Sequence, residues 1–466
     1  MTTAVALFDR FLSTAAMGEV FDTPALVQGM LDFEAALARA QAAEGVIPAE
    51  AAGAIAAQCR HERFDLDALV VAGARAGSIA IPLVKALTAA VAATDEPAAS
   101  WVHRGSTSQD VIDTAMVLAT RRAVALIDTR LGELTRGLLA VAQAHGETPM
   151  LGRTLMQPAL VVSVGFKLVG WVAPLVRARQ RIRTAAGRAL QLQLGGAVGT
   201  LSVMGAAGPA VAARMAHALG LALPPGAWHT QRDEWVALGC EIGLLCGSLG
   251  KIATDIALLA QGEIAEMAEP SGDGRGGSSA MPHKRNPVAS MTALAAALRA
   301  PHRVAALLAA MPQAHERGLG DWQAELAEWP GLFLSAHGAL DALADAAAGL
   351  TIDGARMRRN IDALNGLVFA EAASMLLAPP LGKARAQQLL DTLSRATTDA
   401  QPLLGQVQRA VANDATLAAA IDSAALSAAF DIDAAARQAS AAAAAQWTAL
   451  RASAAALDAH PFDIPT

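Results

Sequence analysis

The sequence predicts an all-α protein built around a bundle of long helices. Alanine dominates, followed by leucine with glutamine, arginine and glutamate, all good helix formers. No run alternates polar and apolar residues with β-branched enrichment, as strands require. Hydrophobic residues make up 54% of the 466 and charged residues 17%, which excludes a disordered chain and allows a large core.

Residues 1–105 read as shorter helices, broken at Gly45-Val46-Ile47-Pro48 and Glu96-Pro97. Five long helices follow, over Thr114–His145, Ala159–Leu190, Trp235–Glu269, Val288–Met311 and Asp321–Leu350. In the third, Leu238, Ile242, Leu245, Leu249, Ile252, Ile256 and Leu259 step by four and three alternately, a bundle seam. Gly239, Gly243 and Gly247 lie four apart on another face. Each costs a helix about 1 kcal/mol, so close approach of a neighbouring helix is their expected use. Residues 351–466 return to short helices, jointed at Pro379-Pro380 and Gly382, and the alanine-rich run Ser440–Gln446 is a strong helix former. The division is therefore 1–105, 106–350 and 351–466.

Three function classes are argued against. A formal net charge of −6 leaves no basic excess for nucleic acid, and no tyrosine is available to stack on bases. The apolar stretch Ala159–Val176 has Lys167 at its centre, which costs roughly 2.5–3.5 kcal/mol in a bilayer, so it reads as a bundle helix. Cys59, Cys240 and Cys246 are odd in number and have no metal spacing. No disulfide framework or zinc knuckle is expected, and the compartment reads as cytoplasmic, with no targeting segment.

The chemistry lies at three joints. Gly105-Ser106-Thr107-Ser108-Gln109-Asp110 precedes the first long helix. It reads first as a helix cap, and its functional reading is a carboxylate site of hydroxyls and orphan N–H groups. Gly152-Arg153-Thr154-Leu155-Met156-Gln157-Pro158 is a second polar cluster, before the second long helix. The third joint runs from Gly272 to Pro287. It contains G-x-G-x-x-G, but a helix precedes it and two prolines follow, so it is no dinucleotide fingerprint. A glycine-rich lid presenting Ser278, Ser279, Lys284 and Asn286 remains, able to move a proton at carbon and hold a carboxylate.

Ser278–Pro287, SSAMPHKRNP, closely resembles the signature of the fumarase/aspartase superfamily, and the other two joints resemble its first and second motif regions. Further stretches resemble the superfamily's lactone-forming cycloisomerases: IPLVKA at Ile81–Ala86, TSQDVIDT at Thr107–Thr114, GGAVGTL at Gly195–Leu201, WHTQRD at Trp228–Asp233, and His315-Glu316-Arg317. The resemblance implies a three-domain all-α fold, a homotetramer with sites shared between subunits, a small tricarboxylate substrate and no cofactor. It implies catalytic roles for Ser278 and Lys284. It implies substrate contacts from Thr107, Ser108, Thr154, Gln157, Ser279, Met281 and Asn286.

One departure is informative. Adenylosuccinate-type lyases carry a histidine in the second motif and a glutamate past the signature; these positions are Leu155 and Met291 here. The expected reaction is therefore addition of a substrate carboxylate to its own double bond. An adenylosuccinate-type elimination and a non-catalytic structural bundle are the alternatives. Trp228-His229 stays open between loop packing and substrate contact. His283 reads as a loop residue, His315 and Glu316 as structural, and Arg177, Arg179, Arg181 and Arg183 as a solvated helix end.

Overall fold

A computed structural model describes residues 7–272, 274–278 and 280–462. Ser279, one of the expected substrate contacts, lies outside them.

The first region holds α1 (Leu7–Phe11), α2 (Ala15–Val20), α3 (Thr23–Ala43), α4 (Ala49–Gln58), α5 (Leu66–Ala76), α6 (Ala80–Ala92) and α7 (Glu96–Ala99). Asp22 and Asp65 accept from backbone N–H groups to start α3 and α5, and Gly77 ends α5 in the left-handed region. Leu31, Phe33 and Leu37 of α3 pack against Ile55, Leu83 and Leu87, and this core continues into Val111 and Ile112.

The central region holds α8 (Ser108–His145), β1 (Pro149–Thr154), β2 (Gln157–Ser163), α9 (Val164–Ala189), α10 (Gly208–Leu219), α11 (Asp233–Leu259), β3 (Met267–Ala268), α12 (Val288–Ala309) and α13 (Asp321–Ala348). The five long helices alternate in direction. At the lower end, where α8 begins, Arg232 before α11 bridges Asp113 of α8 and Glu325 of α13, all three buried. The seven seam residues of α11 are all buried. A Cβ on Gly239 would stand 2.9 Å from Leu307, and one on Gly243 would stand 2.6 Å from Val304, so α12 approaches as the spacing predicts. Gly247 faces open space.

The last region holds β4 (Thr351–Ile352), α14 (Gly354–Asp362), α15 (Ala370–Leu381), α16 (Lys383–Arg395), α17 (Leu403–Asn413), α18 (Ala415–Ala420), α19 (Ser423–Ala428) and α20 (Ile432–Ala459). Leu377, Leu390, Leu403 and Val407 form a core of their own. The alanine-rich α20 instead returns to the bundle, where Leu450 and Ala454 join the central core.

Three expectations need correction. The chain is not strand-free: β1 and β2 pair as an antiparallel hairpin, with Thr154 opposite Gln157. The helix read from Ala159 therefore starts at Val164, capped by Ser163. Leu160-Val161-Val162 runs straight into an apolar helix, and a continuous apolar run does not distinguish strand from helix. The third long helix stops at Leu259 rather than Glu269, because Ala265 turns left-handed at φ 50° and Glu266 points inward. Of the arginine series only Arg177 is simply exposed; the other three are paired. Arg179 is buried, and it and Arg183 both grip Asp128, while Arg181 pairs with Glu241.

Candidate active site

At the lower end the backbone N–H of Thr107 donates to the Asp110 carboxylate at 3.0 Å, opening α8. Asp110 is fully buried and also accepts from Gly195 N and Gly196 N, each at 2.9 Å, and from His229 Nε2 at 2.7 Å. A carboxylate only accepts, so the Nε2 proton is on His229. Gly195 is required here, because a Cβ would sit 2.5 Å from Ala227 and 2.9 Å from the His229 ring. Gln109 donates to His229 O, and Arg317 Nε donates to Gln109 Oε1 while its terminal nitrogen reaches Ala197 O.

One carboxylate and one amide thus tie together four stretches far apart in sequence: 107–114, 195–201, 228–233 and 315–317. The fifth, 81–86, joins through a cavity of about 450 Å³ lined by Ile81, Lys85, Thr88, His103 and Ser108. His229 is buried and holds the cluster together, which answers the open reading of Trp228-His229 in favour of packing. Trp228 lies against the Arg232 guanidinium at 4.4 Å.

His103 adds a group that the sequence reading passed over. Its Nδ1 lies 2.6 Å from Oε1 of the buried Glu34 and 2.9 Å from Ser106 Oγ. Burial works against its charged form, but the Glu34 carboxylate outweighs burial and Asp110 adds to it, so its pKa is raised. The signal in the sequence was a histidine four residues before Thr107; its acidic partner, 69 residues away, was not legible. The cavity that holds Ser108 therefore carries two basic side chains, Lys85 and His103, suited to a polycarboxylate.

The upper end carries the other two motifs. Thr154 and Gln157 flank the tip of the β1–β2 hairpin, where Leu155 and Met156 have φ of 49° and 65°. Positive φ at both central residues gives the strand twist a tight hairpin needs, and each non-glycine residue there costs on the order of 1 kcal/mol or more. Both side chains stand out from the chain, Leu155 at 96% exposure and Met156 at 72%. Arg153 holds the hairpin by a two-pronged pair to the buried Glu266, at 2.9 and 2.6 Å, and Asn360 donates to the same carboxylate.

The lid is stitched at its base. Asn286 N donates to Gly276 O at 2.8 Å, Arg285 reaches Ser271 Oγ, and Glu269 accepts from Ala289 N and Ser290 N to start α12. Ser278 Oγ accepts from Met281 N at 3.2 Å, and Lys284 N donates to Met281 O. Ser278, Met281, Lys284 and Asn286 therefore share one folded loop, with Lys284 and Met281 exposed. Met291 stands half-exposed in the first turn of α12, at 53%.

The structure brings Thr107 and Ser108 to one end of α8, and the hairpin and lid to the other. The helix has 38 residues, about 57 Å at 1.5 Å per residue. Within one chain the first motif does not meet the other two.

The chain matches the lyase family over residues 10–301 and belongs to it, within the fumarase/aspartase superfamily. It is 49% identical over 396 residues to a 3-carboxy-cis,cis-muconate cycloisomerase of Bradyrhizobium diazoefficiens, covering 85% of this chain and 88% of that one. It is 50% identical over 389 residues to the enzyme of that name from Pseudomonas aeruginosa, covering 84% and 85%. The crystal structure of 3-carboxy-cis,cis-muconate lactonizing enzyme from Pseudomonas putida superposes with a TM-score of 0.88 at 43% identity, covering 96% of this chain and 99% of that one.

Proposed function

We propose that this chain is a 3-carboxy-cis,cis-muconate cycloisomerase. It closes its substrate to the carboxymuconolactone in aromatic-acid catabolism. The observation that carries this is identity of about one half, over more than four-fifths of the chain, to cycloisomerases from two organisms.

One substrate carboxylate attacks the double bond, and a C–O bond forms. Negative charge builds on the carbon beside another carboxylate, and a proton delivered there completes the lactone. A carboxylate has a pKa near 4 and is already anionic at neutral pH, so the nucleophile needs no base. One proton-transfer residue suffices, and Ser278 is assigned that role. Lys284 and the N–H groups around Gly276-Gly277 stabilise its alkoxide, which regains a proton from solvent. Thr107, Ser108, Thr154, Gln157, Ser279, Met281 and Asn286 bind the tricarboxylate. Lys85 adds positive charge beside Ser108, and His103, paired with Glu34, adds a hydrogen-bonding imidazole. Leu155 and Met291 give an apolar wall that shields the lactone from water.

The protein works in the cytoplasm, divided at 1–105, 106–350 and 351–466, as a homotetramer whose sites draw motifs from different subunits. The separation of the motifs along α8 supports this reading. Mixing the enzyme with 3-carboxy-cis,cis-muconate should abolish the diene absorbance, while adenylosuccinate, argininosuccinate and malate stay uncleaved. Efficient cleavage of any of those three would overturn the assignment.

A further inference from the structure

A second cavity lies away from all three motifs, in the cleft between α3, α8 and α10. Its volume is about 350 Å³, within the range of small-ligand sites. Asp32 and Arg39 of α3, Arg121 of α8 and His217 of α10 line it. Arg121 lies thirteen residues beyond Ser108 on α8, about 20 Å along the helix.

Arg121 is the unusual group. Its NH1 donates to the carbonyls of Leu219 and Gly220, at 2.7 and 2.9 Å, where α10 ends. Its Nε is buried and finds no acceptor among the described residues. No carboxylate of the described residues forms an ion pair with it. Burial pulls its pKa below the ordinary arginine range, with no acid opposing the shift. Arg121 is half-buried and has no carboxylate partner among the described residues, so an anion beside it would be favourable. Arg39 brings a second guanidinium, shared with an adjoining groove of about 680 Å³ that Arg60 and Arg63 also line. On a chain of net charge −6 this is a local concentration of positive charge.

Asp32 sets the ligand's character. It accepts from Gln28 at 2.8 Å and sits in the same cavity as the two arginines. It would repel a bare anion, but it would accept a hydrogen bond from a hydroxyl.

We propose that this cleft binds a small hydroxycarboxylate, with Arg121 and Arg39 on carboxylate and Asp32 on the hydroxyl. The site also touches a route to the first motif. Arg121 holds the carbonyls of residues 219 and 220, and Ala222 exchanges backbone hydrogen bonds with Leu190 and Leu192. The same extended segment then runs to Gly195 and Gly196 on Asp110.

Titration calorimetry with L-malate, succinate and inorganic phosphate, at fixed ionic strength, tests this on the full chain. Saturable malate binding is expected, with succinate and phosphate weaker. Arg39→Gln should weaken malate by at least about tenfold, the loss expected for a charged hydrogen bond, while leaving muconate turnover unchanged. Asp32→Asn should erase the preference for malate over succinate. Thr154→Ala, in the second motif, should bind malate normally. Absence of saturable heat, equal affinity for succinate or phosphate, indifference to Arg39→Gln, or loss in Thr154→Ala would each overturn the proposal.

Discussion

Ser278 gives the sharpest test at the scale of single residues. A serine hydroxyl exchanges a proton with carbon only while neighbouring donors hold its alkoxide, and such general acid–base groups typically contribute about 10²–10⁴-fold. Ser278→Ala should lose kcat by that factor, with thermal unfolding unchanged because the side chain supports only a loop turn. Near-full activity would move the role elsewhere. Arg232 tests the opposite case, a residue remote from the lid but deep in the core. Asp113 and Glu325 clasp it, and Arg232→Met would leave two buried carboxylates facing each other without a cation. A loss of about 3–5 kcal/mol is expected, read as a lower Tm. The contrast marks what a sequence can disclose about a site. Ser278, Lys284 and Asn286 lie within nine residues and are visible as one motif. The partnerships of Asp110 with His229, and of His103 with Glu34, span 119 and 69 residues and emerge only on folding.

Elements differ in legibility for a related reason. The α11 seam holds its spacing over seven residues, so its burial was readable. The hairpin at 149–163 has no asparagine–glycine turn and merges into an apolar helix, so it was not. The α20 helix was legible as a helix but not in its docking, which depends on three arginines from distant positions. Asp458 near its end takes Arg179 and Arg136, and its last carbonyls at Leu457 and His460 take Arg183. Arg179 and Arg183 meet again on Asp128. Burial would raise the Asp128 pKa, but the hydrogen bonds from Arg183 and Arg179 outweigh it and hold the carboxyl below its ordinary range. A carboxyl depressed on folding contributes stability in full above its unfolded pKa, near 4, and loses it as pH falls through the folded value. Lowering the pH below about 4 should therefore weaken the α8–α9 knot that aims Arg179 and Arg183 at the end of α20. Asp128→Asn should lower Tm at pH 7 and flatten the Tm curve below pH 4. An unchanged acid slope in that variant would show that the knot carries no pH-dependent stability.

Across the whole molecule, the position of the motifs is itself a constraint on assembly. Helix α8 keeps Thr107 and Ser108 about 57 Å from its far end, where the hairpin and lid stand with Leu155 and Met156 turned outward. The proposed site, which joins all three motifs, would need a second chain, and a closed symmetric oligomer would supply one. Two variants separate this from a site built within one chain. Ser108→Ala disables the first motif and Gln157→Ala the second, and each homo-oligomer should be nearly inactive. After dissociation and reassembly of an equal mixture, each site draws its first motif from one chain and its second from another. Half of the chains carry an intact first motif and half an intact second. By chance about a quarter of the shared sites then carry both, and activity should recover to about a quarter of the wild-type value. Sites confined to single chains would recover nothing, because every chain in the mixture carries one defect. A mixture that stays inactive after reassembly, or a monomer with full activity in sedimentation, would exclude shared sites.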